Sequence, residues 1–460
     1  MSEEITKDFK RIAPKRWKRY PRYKDSGVEW IGEIPTNWRV YRLKELARMN
    51  PSKTEKNHLP DDLEVSFVPM ESIGEYGGIS GAEAKKLLDV KQGYTYFAEG
   101  DLIVAKITPC FENYKGAIAT DLVNGIGFGT TELFVLRPNE RSDSRYLFYV
   151  SISKAFRETG SKIMHGAAGQ KRITVDFINN YPVALPKPEE QSQIVGFLDE
   201  TLKRVDSLIT KKQRLIKLLK EKRAAIIARA VTKGLDPNAP MKDSGVEWIG
   251  EIPEGWGVAK LKRAVNHVGR GISPNYAEKS SIAVINQACI YWEGISEDDL
   301  KYHEETDISE LRKGLLKKGD LLLNSTGTGT LGRALLFNLD RMCIADSHVT
   351  IVRCDRKLLI PSFLRLLVET PLYQGKILNE LVAGSTNQIE LSREKLRDLI
   401  VVLPPIEEQE RVVAYVTERN YKIDSFISKI EKSIELLKEY RSALITAAVT
   451  GKIDVREEVP

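Results

Sequence analysis

The segment Lys24–Pro35 reads KDSGVEWIGEIP, and Lys242–Pro253 repeats all twelve residues, 218 positions later. Identity of that length marks a duplication, so the chain has to fold as two related halves. The same offset recurs downstream. Trp38 matches Trp256, Leu185-Pro186 matches Leu403-Pro404, and Glu189-Glu190-Gln191 matches Glu407-Glu408-Gln409. Arg223 matches Arg441, and Val231-Thr232 matches Val449-Thr450. Between these anchors only scattered landmarks survive, such as Gly100-Asp101-Leu102 against Gly319-Asp320-Leu321, where the offset slips to 219. Shared ends imply a common scaffold or a common partner. Divergent middles imply two different things recognised, which is the logic of a bipartite reader.

The divergent middles span about 36–188 and 254–405. Their short apolar runs, Leu102–Ala105, Glu132–Leu136 and Leu321–Leu323, predict strands. Arg145–Lys154 and Ile360–Glu369 predict helices. Each middle is therefore expected to be a mixed α+β globule. After each comes a long helical pattern. Leu198, Val205, Leu219 and Ile226 fall on a seven-residue repeat, with Lys212 in the one polar slot. Val416, Ile423, Ile430, Leu437 and Leu444 fall on the same repeat in common register, widened by Leu208, Ile209, Phe426 and Ile427. Such stripes belong to amphipathic helices that pair along a seam. Forty residues of helix span about 60 Å, too long to bury against one small globule, so the two helices are expected to pack on each other as an antiparallel coiled coil. The expected layout is a basic arm 1–23; a first domain 24–188 with its flank 24–35; a helix 189–233; a linker and second flank 234–253; a second domain 254–405; a helix 406–450; and a polar tail 451–460. Gly234–Pro240 is a linker by composition. Gly451 is placed to end the second helix.

Composition narrows the class. The chain has 460 residues, room for about two to four domains. Its formal net charge is only +6, weak by itself as a sign of a polyanion partner. Residues 1–24, however, hold nine Lys/Arg against three acids, with Phe9, Trp17, Tyr20 and Tyr23 interleaved. That arm either lies along phosphates, docked by its aromatics, or is a solvated terminus. Cys110, Cys289, Cys343 and Cys354 form no CxxC pair, which argues against a disulfide framework and a zinc knuckle. Without a signal-peptide core or an apolar run long enough to span a membrane, the expectation is a cytoplasmic protein with no membrane partner.

Two divergent globules, two long helices in register and repeated flanks resemble the specificity subunits of type I restriction-modification systems. Several segments carry the resemblance: KDSGVEWIGEIP before each globule, preceded by Tyr23 in the first, GDLIVAKITPCFENYKGAI at Gly100–Ile118, GRGISPNY at Gly269–Tyr276 and VINQACI at Val284–Ile290. The helix entries LPKPEEQ at Leu185–Gln191 and LPPIEEQ at Leu403–Gln409 carry it too, the latter with Ile406 in place of the second proline. The resemblance covers nearly the whole chain beyond about residue 20. It implies two target recognition domains, each reading one half of a split site in double-stranded DNA. It also implies partners: two modification subunits that methylate adenine, and restriction subunits that translocate and cut. S-adenosylmethionine, ATP and Mg²⁺ would belong to those partners, with no cofactor on this chain. The shared flanks, with Trp30 and Trp248, and the helix faces carrying the heptad residues are then the expected partner surface, because two copies of one partner need two copies of one surface.

Base reading needs Arg, Lys, Asn and Gln on loops that reach groove edges. Lys106, Thr108, Asn113 and Lys115 lie just beyond one predicted strand. Asn324, Ser325, Thr326 and Thr328 follow the equivalent strand and lead to Arg333; the intervening glycines allow close approach to phosphate. Gln170, Lys171 and Arg172 form a second candidate group, in step with Gln388. The resembling motifs add Arg270, Asn275, Asn286 and Gln287. Each loop could equally be plain turn chemistry, and Gln170 and Gln388 could share a structural hydrogen bond instead of a DNA contact.

Enzyme readings fare less well. Gly125–Gly129 (GIGFG) has no strand–loop–helix unit around it for a cofactor loop, and Asn50-Pro51-Ser52-Lys53 lacks the second proline and aromatic of an adenine-flipping loop. Pro60-Asp61 with Glu83-Ala84-Lys85 loosely fits a PD…ExK nuclease site holding Mg²⁺, without a counterpart in the second half. No GxxxxGK[ST] loop occurs. A coiled-coil adapter without a DNA role is the remaining alternative, and it leaves the two dissimilar globules without a purpose.

Overall fold

The computed structural model describes residues 17–56, 58–167, 169–292, 294–327, 329–383 and 389–457. Arm residues 1–16, Thr328 and the segment 384–388, which includes Gln388, lie outside the described residues. The chain forms two compact units, 1–213 with 431–460, and 214–430.

In the first unit, one four-stranded sheet has the order Glu83–Lys86, Glu64–Val68, Ile126–Gly129, Thr95–Ala98. The other has the order Ala47–Met49, Leu133–Pro138, Leu102–Ala105, Gly116–Ile118. The run Leu102–Ala105 is buried at every position, as a strand covered on both faces must be. The second unit also has two four-stranded sheets. Val265–Arg270, Val349–Cys354, Leu321–Asn324 and Ala334–Leu336 stand in the same order as the latter sheet, and Tyr276–Ala277, Lys301–His303, Ile282–Ile285 and Cys343–Ala345 form the other. Each contains one parallel pair, Glu64–Val68 with Ile126–Gly129 and Ile282–Ile285 with Cys343–Ala345. The divergent middles are thus one α+β fold written in two sequences.

The predicted helix Arg145–Lys154 is in fact two helices, Ser144–Ser151 and Lys154–Lys162. Ser153 breaks the run, its Oγ accepting from the Phe156 N–H as an N-cap. The glycine run is a strand, not a loop: a Cβ on Gly127 would lie 2.1 Å from the Phe97 ring, and one on Gly129 2.8 Å from the Val68 carbonyl.

The first long helix runs Pro188–Lys233 and the second Ile406–Val449. Pro188 stands at the helix start, where its missing N–H is no loss, and the acids Glu189 and Glu190 follow in the positive first turn. Within the first unit, Leu198 and Leu202 share a core with Leu444, Ile445 and Ala448. Within the second, Ile227, Ala230 and Val231 share one with Val412 and Val416. Asp206 accepts from Arg441 in the first unit, and Asp424 accepts from Arg223 in the second. Both pairs of residue numbers add to 647, so both units use a single antiparallel register. Lys212 is buried in its polar slot, and burial lowers its pKa.

The segment expected as a polar tail is packed against the first unit in its described part. Ile453 and Val455 are buried in the first unit's core. The Asp454 N–H donates to the Lys18 carbonyl, and Lys452 Nζ donates to the carbonyls of Ile31 and Glu33. Gly451 makes the turn at φ +68°; a side chain there would meet Pro35 at 2.4 Å. The described part of the arm is docked as well, with Trp17 edge-on to Phe197 and Tyr20 edge-on to Trp38.

Candidate DNA interface

In the first unit the structure brings the two predicted groups together. The segment following Leu102–Ala105 runs beside a hairpin of His165–Ala167 and Gln170–Arg172. The Thr108 N–H and Oγ1 both donate to the Lys171 carbonyl, and the Ile173 N–H donates to the Lys106 carbonyl. Exposed on this platform are Asn113, His165, Gln170 and Lys171. Other candidates are already engaged. Arg172 makes a bidentate pair with Glu132, at 2.9 and 2.8 Å, and holds that carboxyl below its ordinary range. Lys115 Nζ caps the Met70 carbonyl at 2.9 Å. Lys106 Nζ lies 5.4 Å from the centre of the Phe134 ring.

The second unit builds the same platform with other side chains. Thr326 follows strand Leu321–Asn324; its Oγ1 donates to Gln287 Oε1 at 2.9 Å and lies 3.0 Å from His348 Nδ1. A hairpin of Val382–Ala383 and Glu390–Leu391 adjoins it, the Leu391 N–H donating to the Ser325 carbonyl. Arg333 packs over Tyr291 at 5.5 Å, and Asn275 is exposed. Here too some candidates are internal. Arg270 pairs with Glu390 and donates to the Leu391 carbonyl. Asn286 caps a short helix through the N–H groups of Ala288 and Cys289. Asn324 and Ser325 are fully buried, Ser325 against the Thr350 hydroxyl and Asn324 Nδ2 on the Gln287 carbonyl. These two cannot touch DNA as placed.

The retained motifs turn out to be framework. Asp101 and Asp320, of the two Gly-Asp-Leu landmarks, each accept a turn N–H and hold an arginine from the neighbouring strand, Arg137 and Arg353. Gln191 and Gln409 are both fully buried. Each amide nitrogen donates to two carbonyls, those of Arg141 and Pro186 or of Leu358 and Pro404, and each amide oxygen accepts one N–H. Sequence reading missed Glu132, His348 and Glu390; a lone acid or histidine in a divergent stretch gives no signal until its neighbour is known.

The expected partner surface needs correction. Leu198, Val205, Val416, Ile423, Leu437 and Leu444 are buried, and Leu219, Ile226 and Ile430 half-buried, so the heptad positions are covered by this chain, while Phe426, expected to widen the stripe, is 60% exposed. Trp30 stacks obliquely on Tyr181 but stays exposed, whereas Trp248 lies edge-on to Tyr373 under Lys376. The helix faces that remain open carry Tyr421 and Phe426 on the second helix, and Leu218 and Leu436, 46% and 52% exposed and 218 positions apart.

The nuclease pattern does not assemble either. Asp61 pairs with Lys91 and Glu83 with Lys85, both acids exposed, and among the described residues no cluster of His, Cys, Asp or Glu could hold a metal.

Residues 35–218 match the type I restriction modification DNA specificity domain. Among curated relatives, the EcoEI specificity subunit of Escherichia coli is 42% identical over 178 residues, 38% of this chain but only 30% of that one. The EcoAI specificity subunit of the same organism is 26% identical, covering 84% of this chain and 78% of the relative. The MjaVIII specificity subunit of Methanocaldococcus jannaschii is 24% identical, covering 92% and 94%. A solved chain of a type I restriction-modification assembly aligns with a TM-score of 0.73 at 18% identity, over 90% of this chain and 98% of that one. The HsdS subunit of Thermoanaerobacter tengcongensis aligns at 0.55 and 20%, over 91% and 98%. The chain is thus similar, over most of its length, to specificity subunits of type I restriction-modification systems, with the domain match itself confined to residues 35–218. That similarity favours neither the adapter nor the nuclease reading. No helix among the described residues is long and apolar enough to cross a membrane.

Proposed function

We propose that this chain reads a bipartite site in duplex DNA, one half-site by each globule, 24–188 and 254–405. One observation carries the reading: the two units present the same platform, a post-strand loop against a hairpin, lined by different side chains. A shared framework with dissimilar linings is what two different half-sites require. Phosphate contacts supply most of the affinity, and a few loop side chains supply the sequence choice. In the first half these are Asn113, Gln170 and Lys171; in the second, Asn275, Gln287, Thr326 and Arg333.

The long helices, 46 and 44 residues, act as the ruler between half-sites. At about 1.5 Å per residue they are long enough to set half-sites about one duplex turn, ~34 Å, apart. Two modification subunits dock on repeat-related surfaces, for which the exposed Leu218 and Leu436 are the pair of apolar anchors. S-adenosylmethionine then serves those subunits, and ATP and Mg²⁺ serve restriction subunits that join the assembly in the cytoplasm.

Mapping methylated adenines in cells that carry the chain with its modification subunits tests the reading. The expected result is one asymmetric motif with two specified halves and a fixed unspecified spacer, lost when the chain is deleted. A continuous palindrome, or a methylation pattern indifferent to the deletion, would overturn it.

A further inference from the structure

The two units are built alike, yet one feature belongs to the first alone. Tyr76 and Tyr114 stack face to face, centroids 4.6 Å apart and planes 17° apart. Both stand in the left-handed backbone region, at φ +62° and +61°, where a Cβ crowds the adjoining carbonyl. Two such residues in mutual contact persist only where the surroundings hold them. Here the Tyr76 N–H donates to the Tyr114 carbonyl, and Lys115 Nζ reaches back to the Met70 carbonyl. On the outer face of Tyr76 lies the Arg441 guanidinium of the second long helix, 3.6 Å from the ring centre. The same guanidinium donates to Asp206 of the first long helix at 2.9 Å and is only 13% exposed. On the inner side, the fully buried Arg157 lies 5.7 Å from the Tyr114 ring and donates to the carbonyls of Phe111 and Lys115. Two rings are thus held between two guanidiniums. The stack joins the candidate reading loop, around Asn113, to both long helices.

Arg223 is the repeat equivalent of Arg441, and it makes the equivalent ion pair with Asp424. Among the described residues no ring covers it, and it is 32% exposed. The position 219 after Tyr114 is Arg333, which packs on Tyr291 instead. The duplication therefore kept the ion pair and diverged in the aromatic stack.

We propose that the Arg441–Tyr76–Tyr114 stack is a positioning device that fixes the first reading loop on the helix pair and so sets how strictly the spacer length of the DNA site is enforced. Tyr76 and Arg441 touch no base in this scheme. They hold the loop that does. The inference rests on the bipartite reading of the preceding section.

The test uses the assembled complex with modification subunits, and duplexes carrying both half-sites at the native spacer and at one base pair more or less. Wild type is expected to methylate the native spacer preferentially. Tyr76→Ala and Arg441→Ala should each reduce that preference at least tenfold, with base discrimination within the first half-site unchanged. Tyr76→Phe, which keeps the ring face, should match wild type, and Arg223→Ala should leave spacer preference intact. Folded alanine variants that keep wild-type spacer preference would overturn the proposal. So would a loss of base discrimination, which would make these residues readers, or an equal relaxation by Arg223→Ala. Should Tyr76→Ala fail to fold, Arg441→Ala against Arg441→Lys decides on the same readout. A wild-type complex indifferent to both half-sites would defeat the bipartite reading itself; a discriminating wild type beside unchanged variants defeats only the positioning role.

Discussion

Lys171 and Arg172 are neighbours on one hairpin, but their charges are in different situations. Arg172 is neutralised by Glu132 in a bidentate pair, whereas Lys171 is exposed. A cation that meets a phosphate releases a counterion, and a cation already paired inside the protein releases few. Lys171→Ala should therefore flatten the dependence of log K on log salt by about 0.9. Arg172→Ala should leave that slope nearly unchanged and lower the melting temperature instead. Salt titrations of duplex binding between about 50 and 200 mM check both; equal slope changes would show that Arg172 leaves Glu132 to bind DNA. The same contrast shows what sequence can say of a site. The location of the loops was legible, because both follow a Gly-Asp-Leu landmark. The engagement of individual side chains was not. Lys115, Arg172, Arg270 and Asn286 have the right chemistry for DNA, but each has an internal partner distant in sequence or hidden in a turn. The landmark aspartates themselves serve Arg137 and Arg353, so retention there reports framework.

The long helices were the most legible elements, since their heptad pattern runs through five positions in each copy, 198–226 and 416–444. The break at Ile152–Ser153 was hidden because the apolar pattern continues across it, and only the capping geometry of Ser153 ends the turn. The common antiparallel register gives the ruler a clean test. Within the first unit, segments 207–213 and 434–440 face each other where residue numbers add to 647. Removing both deletes one heptad and shortens the helices by about 10 Å, roughly three base pairs at 3.4 Å per step. The expected methylation map keeps both half-sites and changes their separation by about that amount. An unchanged spacer in a folded, partner-bound variant would sink the ruler.

At the scale of the whole chain, the two units share the strand order of one four-stranded sheet, while in the other sheet the parallel strand pair is central in the first unit and lies at an edge in the second. The junctions flanking the globules are also the same, with Arg39–Arg42 pairing Pro182–Leu185 as Gly257–Lys260 pairs Ile400–Leu403. Replacing 254–405 by a second copy of 36–188 should therefore give a folded protein. Its methylated site should be symmetric, the first half-site facing its own reverse complement, with little change in spacer. If the exchanged protein binds its partners and still marks the original asymmetric site, specificity does not reside in the globules.

The packing of Ile453 and Val455 against the first unit bears on how the chain is made. Residues 214–430 are contiguous and can fold as they leave the ribosome, but the first unit lacks its closing helix until 431–457 have been synthesised. At about 5–20 residues per second, the apolar face bearing Leu198 and Val205 waits on the order of ten to forty seconds for Leu444 and its neighbours. During that interval it is a surface to which chaperones, or the same face of another nascent chain, have access. The half translated first is thus the half finished last, and its yield depends on keeping that face single until the far end arrives.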